Sequence, residues 1–312
     1  MDKNKGKIKF YYIIITILIL ISLGIIIFFI LHDQEKITIE QEINKELIEE
    51  LNNKEKEFST IKNSNTYLEE RINKLNNIDQ MTKDTKEEVF ALAKELEQQI
   101  KNGNNKYKIA YLTFDDGPYY LTDKYLEVLK KYNVKATFFT IGAGKERCYD
   151  NYSVSCMNTY KKIVDGGHTI ANHTYSHAIF YGLYSSTNSF MTQVQKQEDL
   201  IKKQTGVTTN IIRFPGGSST AGRLKNSIIT ELRKKNYGWV DWTAQDGDGG
   251  DLSSTTQAWN NFTRSINDNI EVVLFHDYSS ITLSILPKAI EYLQSKNYIL
   301  LPLFYDSVMI NK

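Results

Sequence analysis

The chain has 312 residues, long enough for about two domains. With 41% hydrophobic and 24% charged residues it is composed like a globular protein, which excludes wholesale disorder and collagen-like repeats. Its 38 Lys and Arg against 37 Asp and Glu leave a formal charge of +1, without the basic excess of a general nucleic-acid binder, and two cysteines cannot build a disulfide-dense miniprotein or a four-cysteine zinc site.

The apolar residues are unevenly spread. Residues 10–31 read FYYIIITILILISLGIIIFFIL, 22 residues without a charge. About 20 apolar residues at 1.5 Å rise cross the hydrocarbon core of a bilayer, so a transmembrane helix is predicted over 10–31. The rival is a cleaved signal peptide, whose apolar stretch is shorter and ends at a small-residue cleavage site; here the run leads into Leu31-His32-Asp33-Gln34. Lys3, Lys5, Lys7 and Lys9 precede the span, which predicts residues 1–9 in the cytoplasm and all that follows residue 31 outside, with membrane lipid as a partner.

Residues 32–104 read as a helical spacer. From 33 to 104 there is no Pro, and the only Gly is Gly103. Leu47, Leu51, Phe58, Ile61, Leu68, Ile72 and Leu75 follow alternating four- and three-residue steps, with Lys54 and Asn65 filling two seam positions. That pattern admits either a self-associating coiled coil or a single solvated helix. A further helix is predicted from Thr85 to Asn102: Thr85 and Glu88 form a capping-box pattern, Val89, Leu92, Leu96 and Ile100 share a face, and Gly103 stops it.

From residue 105 the texture alternates. Strand-like apolar runs lie at 108–115, 135–142, 168–173, 211–216, 236–243, 269–277 and 298–303. Helical patterns separate them at 121–133, 158–166, 189–205, 224–235, 255–267 and 283–296. This order predicts an α/β domain over 105–312 with a largely parallel sheet, and periodicity alone leaves open whether the sheet is open or a barrel.

The unusual polar residues sit at the ends of these runs. The first enters Asp115-Asp116-Gly117-Pro118, where adjacent carboxylates next to an apolar strand are costly unless something binds them. The third ends at Asn172-His173-Thr174-Tyr175-Ser176-His177, an imidazole pair suited to zinc-like metals, while His168 at its start reads as structural. The fourth ends at Arg213-Phe214-Pro215-Gly216-Gly217, the fifth region holds Asp241-Trp242 and Asp246-Gly247-Asp248, and the sixth ends at His276-Asp277. The acidic stretch 245–251 lacks the closing Glu of a calcium loop. Each piece alone has an ordinary structural explanation. Together they occupy the C-terminal ends of successive strands, where parallel α/β domains build sites.

Five ordered motifs carry a resemblance: T-F-D-D-G-P at 113–118, H-T-Y-S-H at 173–177, R-F-P-G-G at 213–217, the D-W to D-G-D region at 241–248, and L-F-H at 274–276. Over about residues 106–306 the chain resembles the NodB-type polysaccharide deacetylases of carbohydrate esterase family 4. The resemblance implies a distorted (β/α) barrel of about seven parallel strands, consistent with the runs counted above. It implies that Asp116, His173 and His177 hold one divalent metal, usually Zn2+, with Co2+, Ni2+ or Mn2+ as alternatives. It makes Asp115 the general base and His276 the general acid, has Arg213 orient Asp115, and pairs His276 with Asp248 or Asp246. The Gly216 N–H would complete an oxyanion site, Trp242 would supply an aromatic wall, and Leu274 would contact the acetyl methyl. Two positions depart from the family: Gly216 stands where many relatives have Tyr, and Gly249 where many have Trp.

Cys148 and Cys156 fall in an insertion after the second strand, where either an extracytoplasmic disulfide or two thiols is expected. The function implied is removal of N-acetyl groups from a cell-envelope glycan of a bacterium. Peptidoglycan N-acetylglucosamine comes first; N-acetylmuramic acid, chitin oligomers, exopolysaccharide or O-acetylated xylan are alternatives, as is a retired, wall-binding scaffold.

Overall fold

The computed structural model describes residues 3–62, 65–76, 83–142 and 155–305. The chain divides into two compact units, Met1–Glu69 and Glu70–Lys312. In the first, helix α1 (Lys3–Lys62) carries the apolar run and part of the spacer without a break. It is long and apolar enough to cross a membrane, and its described apolar side chains from Ile17 to Leu31 are all exposed. Leu47 and Leu51 of the heptad stripe are exposed as well.

The second unit begins within α2 (Asn65–Asn76), continues through α3 (Lys83–Lys101), and then alternates strands with helices. The strands are β1 (Lys108–Asp115), β2 (Thr137–Thr140), β3 (Thr169–Asn172), β4 (Ile211–Ile212), β5 (Gly238–Trp239), β6 (Ala244–Gln245), β7 (Ile270–His276) and β8 (Tyr298–Leu300). The helices are α4 (Thr122–Lys131), α5 (Ser155–Asp165), α6 (Thr187–Thr205), α7 (Lys225–Lys234), α8 (Thr255–Ser265) and α9 (Ser280–Ser295). All recorded pairings are parallel, in the order β5-β4-β3-β2-β1-β7-β6, with β8 on the lower part of β1. This is the distorted, unclosed (β/α) barrel that the resemblance implies.

All seven predicted runs contain a strand, and β6 is an eighth the pattern did not show. The run at 211–216 shrinks to two residues of strand because Pro215 has no N–H for a ladder and Gly216 and Gly217 turn away at φ 75° and 85°. The run at 236–243 also holds only two residues of strand, with one further ladder bond from Val240 N to Ile212 O at 3.1 Å.

Alternation along β1 separates two faces. Phe114 packs its ring against Phe138 of β2 at 4.9 Å, Tyr125 of α4 at 5.2 Å and Phe275 of β7 at 5.9 Å. That face is covered by Leu129, Ile163, Ile201, Phe262, Leu286 and Leu293 of the surrounding helices. The opposite face carries Tyr111, Thr113 and Asp115, aligned by register with Val272, Leu274 and His276.

Helix α3 departs from the spacer reading. Its Val89, Leu92, Ala93 and Leu96 are buried, Phe90 stacks on Phe304 at 5.3 Å, and the hydroxyl of Tyr111 donates to Glu97 Oε1 at 2.5 Å. Tyr111 belongs to the inner face, so α3 covers that face below the site. Burial of its large apolar side chains at ~1.5–3 kcal/mol each is comparable with the whole stability of a domain. A fragment starting at residue 105 is therefore expected to melt at least ~10 °C below one starting at residue 83, or not to fold, in circular-dichroism melts; equal melting temperatures would show that α3 contributes nothing.

Candidate active site

The ladder registers bring the motif residues together. Asp115 is paired with His276, and Asn172, the residue before His173, with Ile212, the residue before Arg213. Four polar groups from distant motifs therefore emerge at one end of the sheet.

Asp116 leaves β1 at φ 70° and His177 lies at φ 49°, both in the left-handed region, where non-glycine residues are uncommon. These turns aim the side chains back across the strand ends. Asp116 Oδ1 lies 3.5 Å from His173 Nε2 and 3.3 Å from His177 Nε2, and the ligand atoms of the three residues all fall within 4.8 Å of one another. His173 Nδ1 donates to the carbonyl of Arg213 at 2.8 Å, which leaves Nε2 as the lone-pair nitrogen on the side of Asp116. Burial lowers the His173 pKa to about 3, so the ring is neutral as a ligand must be. An aspartate and two imidazoles at this spacing fit a divalent cation of the zinc class. His168 stands apart: it is buried at the start of β3, and its Nδ1 accepts from Ala136 N at 3.1 Å.

Asp115 is held from the other side. Arg213 Nη1 donates to Asp115 Oδ1 at 2.8 Å and to Thr113 Oγ1 at 2.7 Å, Nε to the Val240 carbonyl at 3.2 Å, and Nη2 to the Asp241 carbonyl at 3.0 Å. The guanidinium also lies 4.3 Å from the centre of the Phe139 ring. Asp115 Oδ2 lies 3.6 Å from His173 Nε2. Burial raises the Asp115 pKa above the ordinary carboxylate range, with Arg213 and then His276 pulling it partly back.

The third group is a His–Asp pair. His276 Nδ1 donates to Asp248 Oδ1 at 2.7 Å, and the His276 backbone N–H to Asp248 Oδ2 at 2.7 Å. Asp246, the other candidate partner, instead accepts from Asp248 N at 3.1 Å and from Thr282 Oγ1 at 2.7 Å. Burial opposes the imidazolium, but the hydrogen bond and charge of Asp248, with Asp116 and Asp115 behind it, raise the His276 pKa to about 9.

Residues 102–237 match the family model for polysaccharide deacetylases. The catalytic domain of a peptidoglycan N-acetylglucosamine deacetylase from Eubacterium rectale is 33% identical with a TM-score of 0.60, over 67% of this chain and 94% of that one. The chain belongs to the polysaccharide deacetylases of carbohydrate esterase family 4. A polysaccharide deacetylase structure from Bacillus cereus is 26% identical with a TM-score of 0.58, over 65% of this chain and 96% of that one. A Bacillus cereus peptidoglycan-N-acetylglucosamine deacetylase is 34% identical over 49% of this chain. The match spans 50% of that protein's length and 65% of a Bacillus subtilis relative's.

The other residues singled out in the sequence lie at the same end of the sheet. Gly216 is exposed at the turn after Arg213, and Trp242 packs on the neighbouring Gly217, where an added Cβ would lie 3.2 Å from the indole. Leu274 is buried one alternation below His276 on the inner face. Gly249 lies against His276, since a Cβ there would fall 2.9 Å from the imidazole Cε1. Cys148 and the side chain of Cys156 lie outside the described residues, and so does any bridge between them.

Three further residues shape the site without a role assigned to them by the resemblance. Asp241, the first residue of the fourth motif, accepts from Ser218 N at 2.8 Å and Ser218 Oγ at 2.6 Å, locking the turn after Arg213. Asp277 holds Thr122 Oγ1 at 2.5 Å and crowds Gly117, where a Cβ would meet its Oδ2 at 2.2 Å. Tyr278 lays its ring 5.0 Å from that of His276. The adjacency of Asp277 and Tyr278 to a motif was their only sequence cue.

The pairing makes a signed prediction. Asp248→Asn removes the charge that offsets burial, so the His276 pKa should fall from about 9 to below its ordinary value of 6.5. The ring-proton shift of His276, followed by NMR across pH, reads this directly; an unchanged midpoint would show that Asp248 does not set it.

Proposed function

We propose that the protein is a membrane-anchored, divalent-metal-dependent N-deacetylase acting on N-acetylglucosamine of peptidoglycan. The observation that carries this reading is the convergence of the Asp116–His173–His177 set, the Arg213-held Asp115 and the Asp248-held His276 at one end of one sheet. The peptidoglycan deacetylases among its relatives support the choice of substrate.

Asp116, His173 and His177 would hold the ion, with Zn2+ favoured by the imidazole-rich set and Co2+, Ni2+ or Mn2+ tolerated by it. A divalent ion there supplies positive charge that polarises the acetyl carbonyl and makes water more acidic. Asp115 takes a proton from the attacking water through the oxygen that Arg213 leaves unengaged. Its burial-raised pKa makes it a stronger base than a solvated carboxylate. As the new C–O bond forms, the N–H of Gly216 faces the developing negative oxygen, and Leu274 and Trp242 line the acetyl end. His276, charged at neutral pH by Asp248, then delivers a proton to the amide nitrogen as the C–N bond breaks, releasing acetate and the free amine. Asp248 and Arg213 act here as orienting groups.

The anchor follows from α1, whose exposed apolar side chains would be costly in water and are matched by lipid. Lys3, Lys5, Lys7 and Lys9 favour a cytoplasmic N-terminus, which leaves the deacetylase outside and facing the wall. The Leu47–Leu51 stripe then serves as a stalk, open to self-association. Each acetyl group removed leaves an amine, which adds positive charge to the wall and alters the face that lysozyme-like hydrolases recognise.

The full chain in detergent, incubated with Zn2+ and peptidoglycan, is expected to yield muropeptides lacking acetyl, read by mass spectrometry. A chelator should abolish turnover, and Asp115→Asn should cut it by about 10²-fold or more. Correctly folded, metal-loaded protein that deacetylates no acetylated glycan would overturn the enzyme reading; activity confined to muramic acid or xylan would overturn the substrate.

A further inference from the structure

We propose that Phe180 and Tyr181 form a sugar-stacking platform, a subsite for a glycan residue next to the one being deacetylated. The two rings sit on a 3-10 turn, Ile179–Tyr181, that begins two residues after His177, and they are 91% and 89% exposed. No other large hydrophobic residue described in the compact unit is exposed to this degree; Tyr120 reaches 56% and Tyr305 37%. Two large aromatic side chains at neighbouring positions, both left almost wholly in water, are suited to being covered by a ligand.

The turn is built to hold them there. Tyr181 N and Leu183 N donate to the Ala178 carbonyl at 3.0 and 3.1 Å, Gly182 closes the turn at φ 95°, and Leu183 is buried beneath it. The Tyr184 hydroxyl donates to the Pro215 carbonyl at 2.8 Å, and Ile179 lies against Gly216, where a Cβ would sit 3.2 Å from its Cδ1. The platform is thus fastened to the turn that follows Arg213. Three residues of chain span at most ~11 Å, so the backbone that carries the rings lies within that distance of His177.

The chemistry of the turn selects its ligand. From Ala178 to Gln195 the chain carries no charged residue, which suits a neutral ring and not an anionic lipid surface, whose binding segments are rich in Lys and Arg. A pyranose offers an apolar C–H face to an aromatic ring, and the Tyr181 hydroxyl adds a hydrogen-bonding edge. A second aromatic group, Tyr119 and Tyr278, with ring centres 5.7 Å apart, adjoins His276. In the order β3-β2-β1-β7 the loops after β3 and β7 are three strand spacings apart, ~14 Å, so a glycan chain crossing the site meets one group after the other.

This inference rests on the glycan-deacetylase reading, and binding without turnover separates the two. The probe is an N-acetylglucosamine tetrasaccharide titrated by calorimetry into the full chain in detergent, carrying Asp115→Asn to prevent turnover, with the monosaccharide as comparison. Phe180→Ala/Tyr181→Ala should weaken tetrasaccharide binding about tenfold or more, and monosaccharide binding far less. Phe180→Trp/Tyr181→Trp should restore it, and metal stoichiometry and melting temperature should match the parent. Tetrasaccharide affinity unchanged by the double alanine variant, or absent in the parent, would overturn the proposal and leave the rings to a protein or lipid surface. Ring-dependent binding by a chain that deacetylates nothing would overturn the catalytic reading alone.

Discussion

The arrangement at the strand ends depends on one buried cation. Arg213 has no exposed surface, and a charge in that position is tolerable only if its donors are met. They are met by Thr113 and Asp115 of β1 and by the carbonyls of Val240 and Asp241, while the guanidinium lies over Phe139 of β2. Its own carbonyl fixes the tautomer of His173. One residue thus joins the carboxylate proposed as base to His173 of the candidate metal set. Lysine, a point charge on a flexible stem, lacks the planar fork that reaches these acceptors together.

The same constraint explains why the chain turns where it does. The carbonyl of Asp241 accepts from Arg213, and its carboxylate accepts twice from Ser218, so the two loops leaving β4 and β5 are tied to each other. Gly217, at φ 85°, lets the backbone pass beneath Trp242 without a Cβ in the way. The strands β4 and β5 are only two residues long, and the chain that continues from each enters this polar knot.

What could be read in the sequence follows from what is local. The seven runs, the helices between them and the motif residues at their ends are signalled by short-range pattern, and each run contains its strand. Asp248 against His276 is a contact across 28 residues, and which of the two acids made it depended on the register of β6 beside β7, a strand of two residues with no pattern of its own. The place of α3 was hidden for a related reason. Its amphipathic face looks the same whether it covers a sheet or a second helix, and the residue that decides, Tyr111 bonded to Glu97, lies in a strand buried along nearly its whole length, where nothing in the sequence marks which face α3 covers. Asp277 shows a third limit: its significance lies in the space it leaves at Gly117, and steric exclusion has no sequence period.

The charge distribution around the site supplies the remaining argument. Asp115, Asp116, Asp241, Asp246, Asp248 and Asp277 are all buried at this end of the sheet, against the cations Arg213 and His276. Burial is the main cause that raises Asp277 to about 7, and burial with Asp248 alongside raises Asp246. Both acids are satisfied in part by the hydroxyls of Thr122 and Thr282, which can donate to a carboxylate or accept from a carboxylic acid. The surplus of carboxyl groups would be self-repelling if every one ionised. Burial disfavours ionisation at Asp246 and Asp277, while Asp248 faces His276 and Asp116 faces the two imidazoles. A divalent cation at Asp116, His173 and His177 would offset the same surplus, so the ligand set and the outer acids answer one electrostatic problem from opposite sides.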